Sequence, residues 1–136
     1  MNRSGYTDDY DDQWATIRWR GAVESALRGK RGQAFLRELL EALDALPEKR
    51  LIAGELEEDG AFCALGAVGH QRGIDMQNLD PYDCERVAGE FGIANAMACE
   101  IMWVNDEMYY ANDTPEKRFE RVRNWAVENL SKEDTP

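Results

Sequence analysis

A chain of 136 residues, 43% of them hydrophobic and 32% charged, is long enough for one hydrophobic core and too apolar to be disordered. Its net charge of −11 argues against general binding to nucleic acid or to acidic membrane surfaces, because phosphate contacts need cationic side chains. One histidine and three cysteines without a CxxC pair give no zinc-ligand pattern, and no apolar run reaches the roughly 18 residues of a membrane span. Residues 1–12, MNRSGYTDDYDD, hold four aspartates and little to bury, which predicts a flexible acidic arm. A single helical domain over residues 13–131 and a frayed tail over 132–136 should follow it.

From Gln13 the pattern turns helical, with Trp14, Ile17, Gly21 and Leu27 set against Arg18, Arg20 and Glu24. Gly29 reads as a stop, at the position after a helix where positive φ is common, and Gly32 leads into the strongest amphipathic segment. There Phe35, Leu39, Leu43 and Leu46 recur at spacings of four, four and three; Leu36 and Leu40 widen the stripe, opposite Arg37, Glu38, Glu41 and Asp44. A helix so patterned needs partners for its stripe, so Leu39 and Leu43 should be buried. Pro47 ends it, and Glu48-Lys49-Arg50 brings cations to its negative end.

Residues 51–65 are ambiguous. Leu51, Ile52 and Leu56 fit a short helix, the preferred reading, while a small β-hairpin across the glycine-containing turn is the alternative. Ala61–Gly69 is small and apolar and predicts a buried helix ending before Gly73. Asp80-Pro81 gives a helix start running to Phe91, with Gly92 as its stop. Ile93–Val104 should form the next helix, with Met97, Ile101 and Val104 on one face. Thr114-Pro115 repeats the start signal, and Phe119, Val122, Trp125 and Leu130 line the last helix. The expected fold is all-α, a bundle of five to six helices. Cys63, Cys84 and Cys99 should be reduced, as in a cytoplasmic protein, and no signal peptide is expected.

The segments RWRG, RGKRGQAFLRELLEALDALPEKRLI, CALGAVG, GIDM, FGIA, IMWVNDE and TPEKRFERVRNW resemble a family of small uncharacterised proteins encoded by tailed phages and prophages of proteobacteria. The resemblance spans Ser4 to Trp125. In addition, Cys63-Ala64-Leu65-Gly66-Ala67 and Asn105-Asp106 resemble a C-x-x-G-A…N-D pattern of other bacterial proteins. The phage resemblance implies an accessory gene product and assigns no catalytic residues. Phage genes of this size often encode inhibitors of host enzymes or defence systems, anti-CRISPR proteins included.

Between Gln13 and Arg37, six cations (Arg18, Arg20, Arg28, Lys30, Arg31 and Arg37) meet one acid, Glu24. The basic turn Arg28–Arg31 is therefore a candidate partner-binding element. Gly29-Lys30-Arg31-Gly32 also has the G-x-x-G form of loops that clamp a nucleic-acid backbone, though the strands of a KH fold are missing. Trp103, Tyr109 and Tyr110 offer an aromatic patch suited to a protein interface. The acidic clusters Asp8–Asp12 and Glu55–Asp59 read better as solvated surface than as phosphate mimics. Cys63 and His70 lie two helical turns apart, about 10 Å, too far for a thiolate–imidazole pair. Asn105, Asp106, Glu107, Asn112 and Asp113 lack the spacing of a calcium loop. No metal, cofactor or catalytic residue is expected. Together with what the phage resemblance implies, these features lead to the expectation of a cytoplasmic phage protein that binds a host macromolecule, with a nucleic-acid-associated protein as the second reading and an enzyme as the third. Self-association is left open.

Overall fold

The apolar stripe of GQAFLRELLEAL becomes one of two helices about which the others pack. The computed structural model describes residues 3–6, 13–108 and 112–131. Within them lie α1 (Gln13–Arg28), α2 (Lys30–Ala45), β1 (Glu57–Glu58), β2 (Ala61–Phe62), α3 (Ala64–Arg72), α4 (Cys84–Phe91), α5 (Asn95–Asp106) and α6 (Pro115–Asn129). The fold is mostly α, with one small antiparallel hairpin. Among the described residues, no helix is long and apolar enough to cross a membrane.

On α2, Phe35, Leu36, Leu39 and Leu43 are all buried, and the helix packs against α1, α3 and α6. Lys49 folds back to donate to the carbonyls of Asp44 (2.6 Å) and Leu46 (2.7 Å), the negative end that Pro47 leaves open. The second central helix is α5, which touches α1, α3, α4 and α6 and is buried over most of its circumference. A helix surrounded on all sides needs apolar residues all round, and AMACEIMWV supplies them with one exception, Glu100.

Several local expectations are revised. Gly29 is extended at φ −66° and does not adopt positive φ. It is the sole residue between α1 and α2, so Lys30 and Arg31 belong to the first turn of α2 and not to a loop. Gly32 is required for close approach: a Cβ there would lie 1.9 Å from the Ala26 carbonyl oxygen, which fixes the crossing of α1 and α2. The hairpin forms in place of the short helix, with Glu57 opposite Phe62 and Glu58 opposite Ala61. Asp59 (φ 52°) and Gly60 (φ 79°) between them take the two left-handed conformations of a type I′ turn. Helix α4 starts three residues later than Asp80-Pro81 suggests. Asp80 instead closes a turn by accepting from the Tyr82 amide, and Asp83 caps the helix by accepting from the Arg86 amide.

On α1 the apolar face differs from the expected one. Val23 and Leu27 enter the core, whereas Trp14 and Ile17 are 70% and 59% exposed. At the chain start, residues 3–6 are docked against the body, with Arg3 and Ser4 buried. Residues 3–6 of the expected arm are thus held against the body; its other residues, 1–2 and 7–12, lie outside the described residues, as does the tail 132–136.

The three cysteines are not all reduced. Cys84 and Cys99 form a disulfide with Cα atoms 6.2 Å apart, and Cys63 stays a buried thiol. The α4–α5 hairpin turns at Gly92 and brings together two residues separated by 15 in sequence, a proximity that composition cannot reveal. Closing a loop of that length should stabilise the fold by about 3 kcal/mol through restriction of the unfolded chain. Reductant is thus expected to lower the melting temperature by several degrees. A thiol count on the denatured, unreduced chain should give one free thiol; three free thiols and an unchanged melting temperature would refute the bond.

Candidate functional site

Two regions concentrate polar chemistry, and the sequence singles out only one of them. The first is the corner where α1 meets α2. Arg28, Lys30 and Arg31 are all exposed there. Arg28 faces Glu24 one turn back at 3.6 Å, a solvent-exposed pair of little energetic weight. Arg18, Lys30 and Arg31 have no acid partner among the described residues. With α1 at 3.6 residues per turn, Arg18 lies on the stripe that continues through Ser25 to Gly29. That stripe ends in an open depression of about 440 Å³ lined by Ala22, Ser25, Lys30, Arg31, Ala94 and Met97. Exposed Trp14 and Ile17 lie within about one helical turn of Arg18 on α1. Arg20 points away, since it spends its charge on Glu100 through paired bonds of 3.0 Å each.

The second region is a polar node at the C-terminal end of α5. Asn105 is 1% exposed, and its Oδ1 accepts from the Ala64 amide at 3.0 Å, the first amide of α3. Its Nδ2 donates to the Ile52 carbonyl (2.9 Å) and to Asp106 Oδ1 (2.7 Å). Cys63 caps α3, its Sγ accepting from the Gly66 amide at 3.3 Å. The CALGA and Asn105-Asp106 segments therefore meet: one starts α3, and the other receives its first amide. Gly66 completes the fit, because a Cβ there would lie 1.8 Å from the Leu56 carbonyl oxygen.

Arg3 enters this node from the chain start. Its Nε and Nη2 donate to the two oxygens of Asp106 at 2.6 and 2.7 Å, and its Nη1 reaches Cys63 Sγ at 3.5 Å. Burial works against the charged guanidinium, but the Cys63 sulfur and the Asp106 carboxylate outweigh it and hold Arg3 above the ordinary arginine value. Ser4 donates to Glu107. Tyr6 donates to Glu100 at 2.8 Å, with its ring edge-on to Trp19 and 6.0 Å from that of Trp103. Burial raises the Tyr6 hydroxyl above its ordinary value, and Glu100 adds to the effect.

Trp103 is thus half-buried under the docked segment rather than part of an open aromatic patch, and Tyr109 and Tyr110 lie outside the described residues. Sequence reasoning passed over Arg3, Ser4 and Tyr6 because nothing in a short polar segment marks its distant acceptors. On the far side of the node, Arg121 donates to the Val104 and Asn105 carbonyls (2.8 and 3.0 Å) and to both oxygens of Asp113. Arg118 also pairs with Asp113, at 2.9 Å. Among the described residues, no cluster of histidine, cysteine or acidic side chains could hold a metal ion.

No protein-family model, curated protein or solved structure matches this chain.

The bond from Arg121 is the largest influence on Asp113; it overrides burial and holds the carboxyl below the ordinary aspartate value of 3.8. A carboxyl lowered in the folded state contributes stability that is present above pH 3.8 and lost as pH falls through its folded value. Asp113→Asn is expected to melt below the wild type at pH 7, and the gap should narrow as the pH drops below 3.8. Thermal melts at several pH values check this; a gap that stays constant or widens in acid would contradict it.

Proposed function

We propose that the protein acts by binding a macromolecular partner with an acidic surface, through the corner formed by α1 and the first turn of α2. The observation that carries the reading is where the unspent cations lie. In a chain of net charge −11, Arg3, Arg20, Arg72, Arg118, Arg121 and Arg123 are each committed to a carboxylate, and Lys49 and Lys117 to carbonyl oxygens. Among the described residues, Arg18, Lys30, Arg31 and Arg86 have no such partner; Lys30 and Arg31 fall on this corner, and Arg18 lies farther back on α1, about 16 Å of helix from Gly29. An acidic body with one basic corner orients an incoming acidic partner and repels a uniformly anionic one. Exposed Trp14 and Ile17 beside Arg18 add the aromatic and aliphatic contacts that carry interface energy.

Joined to the resemblance to tailed-phage proteins, this becomes an accessory protein that binds a host macromolecule in the cytoplasm of the infected bacterium. Its sharpest form is an inhibitor of a host defence complex, such as an anti-CRISPR. Thiols are kept reduced in that compartment, so the Cys84–Cys99 bond would be open there and the helical packing would hold the fold unaided. A nucleic-acid reading is weaker, because Gly32 is consumed by the contact with Ala26 and Lys30 and Arg31 are helical, which leaves no G-x-x-G loop to clamp a backbone.

The test is the double change Lys30→Glu and Arg31→Glu. Both residues are exposed, so the melting temperature should move little. Capture of a partner from host lysate should fall sharply, most of all at low salt, where charge steering is strongest. Full capture by the folded double variant would remove this corner from the mechanism. Salt-sensitive binding of the wild type to DNA or RNA, lost in the double variant, would favour the nucleic-acid reading instead.

A further inference from the structure

We propose that the groove beside the C-terminal half of α5 is a recognition site for an extended peptide segment of the form Arg-x-x-Tyr, occupied in this structure by the chain's own residues 3–6. The ligand it would take from outside is a segment of a partner protein that places a guanidinium three positions before a tyrosine. The site is independent of the basic corner of α1 and α2.

Arg3, Ser4 and Tyr6 each have their own receiver. Arg3 docks on Asp106 with two parallel bonds of 2.6 and 2.7 Å, the fork geometry of arginine–carboxylate recognition. Ser4 bonds to Glu107, and the Ser4 hydroxyl in turn accepts from the Tyr6 amide at 3.1 Å, which shapes the segment between its two anchors. Gly5, at φ +75°, makes the bend that other residues would resist. Tyr6 places its ring against Trp19 and Trp103 and its hydroxyl on Glu100.

Asp106, Glu100 and Cys63 are also tied to the body by bonds of their own. Asp106 Oδ1 is fixed by the Gly54 amide (3.2 Å) and by Asn105 Nδ2 (2.7 Å), so the carboxylate stands ready for a guanidinium. Glu100 is fixed by Arg20. Cys63 is fixed by its capping bond to Gly66. Trp19 and Trp103 pack on the core. A site whose Asp106, Glu100 and Cys63 are each anchored to the body, and that holds its occupant by polar bonds and two aromatic walls, suits exchange of one such segment for another. A core is held differently, by apolar packing. Among the described residues, Arg3 is the sole cation on Asp106, so an emptied groove would present a buried carboxylate seeking a guanidinium.

In cis the segment acts as a competitor. A short tether confers an effective concentration in the millimolar range, so an external segment must outbid it or meet a chain whose own segment is weakened. The 136-residue chain carrying Arg3→Ala and Tyr6→Ala should therefore bind a fluorescently labelled peptide of residues 2–7 more than about tenfold tighter than the wild type does, by anisotropy. Binding should be lost when the peptide carries Arg3→Ala or when the protein also carries Asp106→Asn.

Arg3→Lys is the second variant: it keeps a cation against Asp106 but cannot form the paired bonds, so it should bind the peptide with intermediate strength. Equal peptide binding by the wild type and the folded variants would overturn the proposal. So would binding that ignores the peptide's arginine, or the absence of binding by folded Arg3→Lys when the double variant does not fold.

Discussion

Asn105 brings three separately folded parts of the chain to one point, and the lower end of the bundle depends on it. Its side chain spans the first amide of α3, the carbonyl of Ile52 and the carboxylate of Asp106. The bond to the Ala64 amide is buried and the other two are partly so, and a buried polar group without a partner costs about 1–3 kcal/mol. No apolar residue could replace the amide without leaving the Ala64 donor and the Ile52 acceptor stranded together. The neighbouring bonds share this dependence. Asp106 is aimed by Asn105, Arg3 is aimed by Asp106, and the docking of residues 3–6 follows from that alignment. The last carbonyls of α5 are satisfied from the opposite side by Arg121, a cation at the negative end of the helix.

The same arrangement shapes the exterior. Arginines are drawn to carboxylates: Arg3 at Asp106, and Arg118 and Arg121 at Asp113, are largely buried, while Arg20 reaches Glu100 from the surface. Their charge is neutralised locally, and the surface left behind is dominated by carboxylates. Against that background the few exposed cations of α1 and α2 form a local field of opposite sign. The basic corner is thus as much a result of where the other arginines went as of its own composition. Gly32 contributes by steric means, since the close crossing at Ala26 brings Lys30 and Arg31 beside the exposed stripe of α1.

Much of the helical layout was legible in the chain. Thr114-Pro115 starts α6, with Thr114 accepting from the Lys117 amide, and Gly73 and Gly92 end α3 and α4 in left-handed conformations. These signals are local, made by residues a few positions apart, so a sequence displays them directly. The hairpin was less legible: Asp59-Gly60 is a strong turn signal, but two-residue strands carry no periodicity. Trp14 and Ile17 show the opposite failure. Their spacing fits an apolar face, yet α1 buries a different one, through Val23 and Leu27, where it packs against α5 and α2. The candidate site was half legible. Its cations at 28–31 form a visible run, whereas Arg3, Asp106 and Cys63 are joined across separations of 103 and 60 residues. No local pattern encodes contacts of that range.

The most direct test of the polar node is side-chain hydrogen exchange by NMR on the wild-type chain. If Arg3 is seated on a carboxylate aimed by Asn105, the Arg3 Nε proton should give a resolved, slowly exchanging resonance, and the Asn105 Nδ2 protons should be protected with it. Exposed Arg18, with no acid partner among the described residues, supplies the fast-exchanging reference within the same molecule. An Arg3 Nε proton that exchanges as fast as that of Arg18 would contradict the account, because a guanidinium closed over Asp106 and Cys63 cannot meet solvent at that rate.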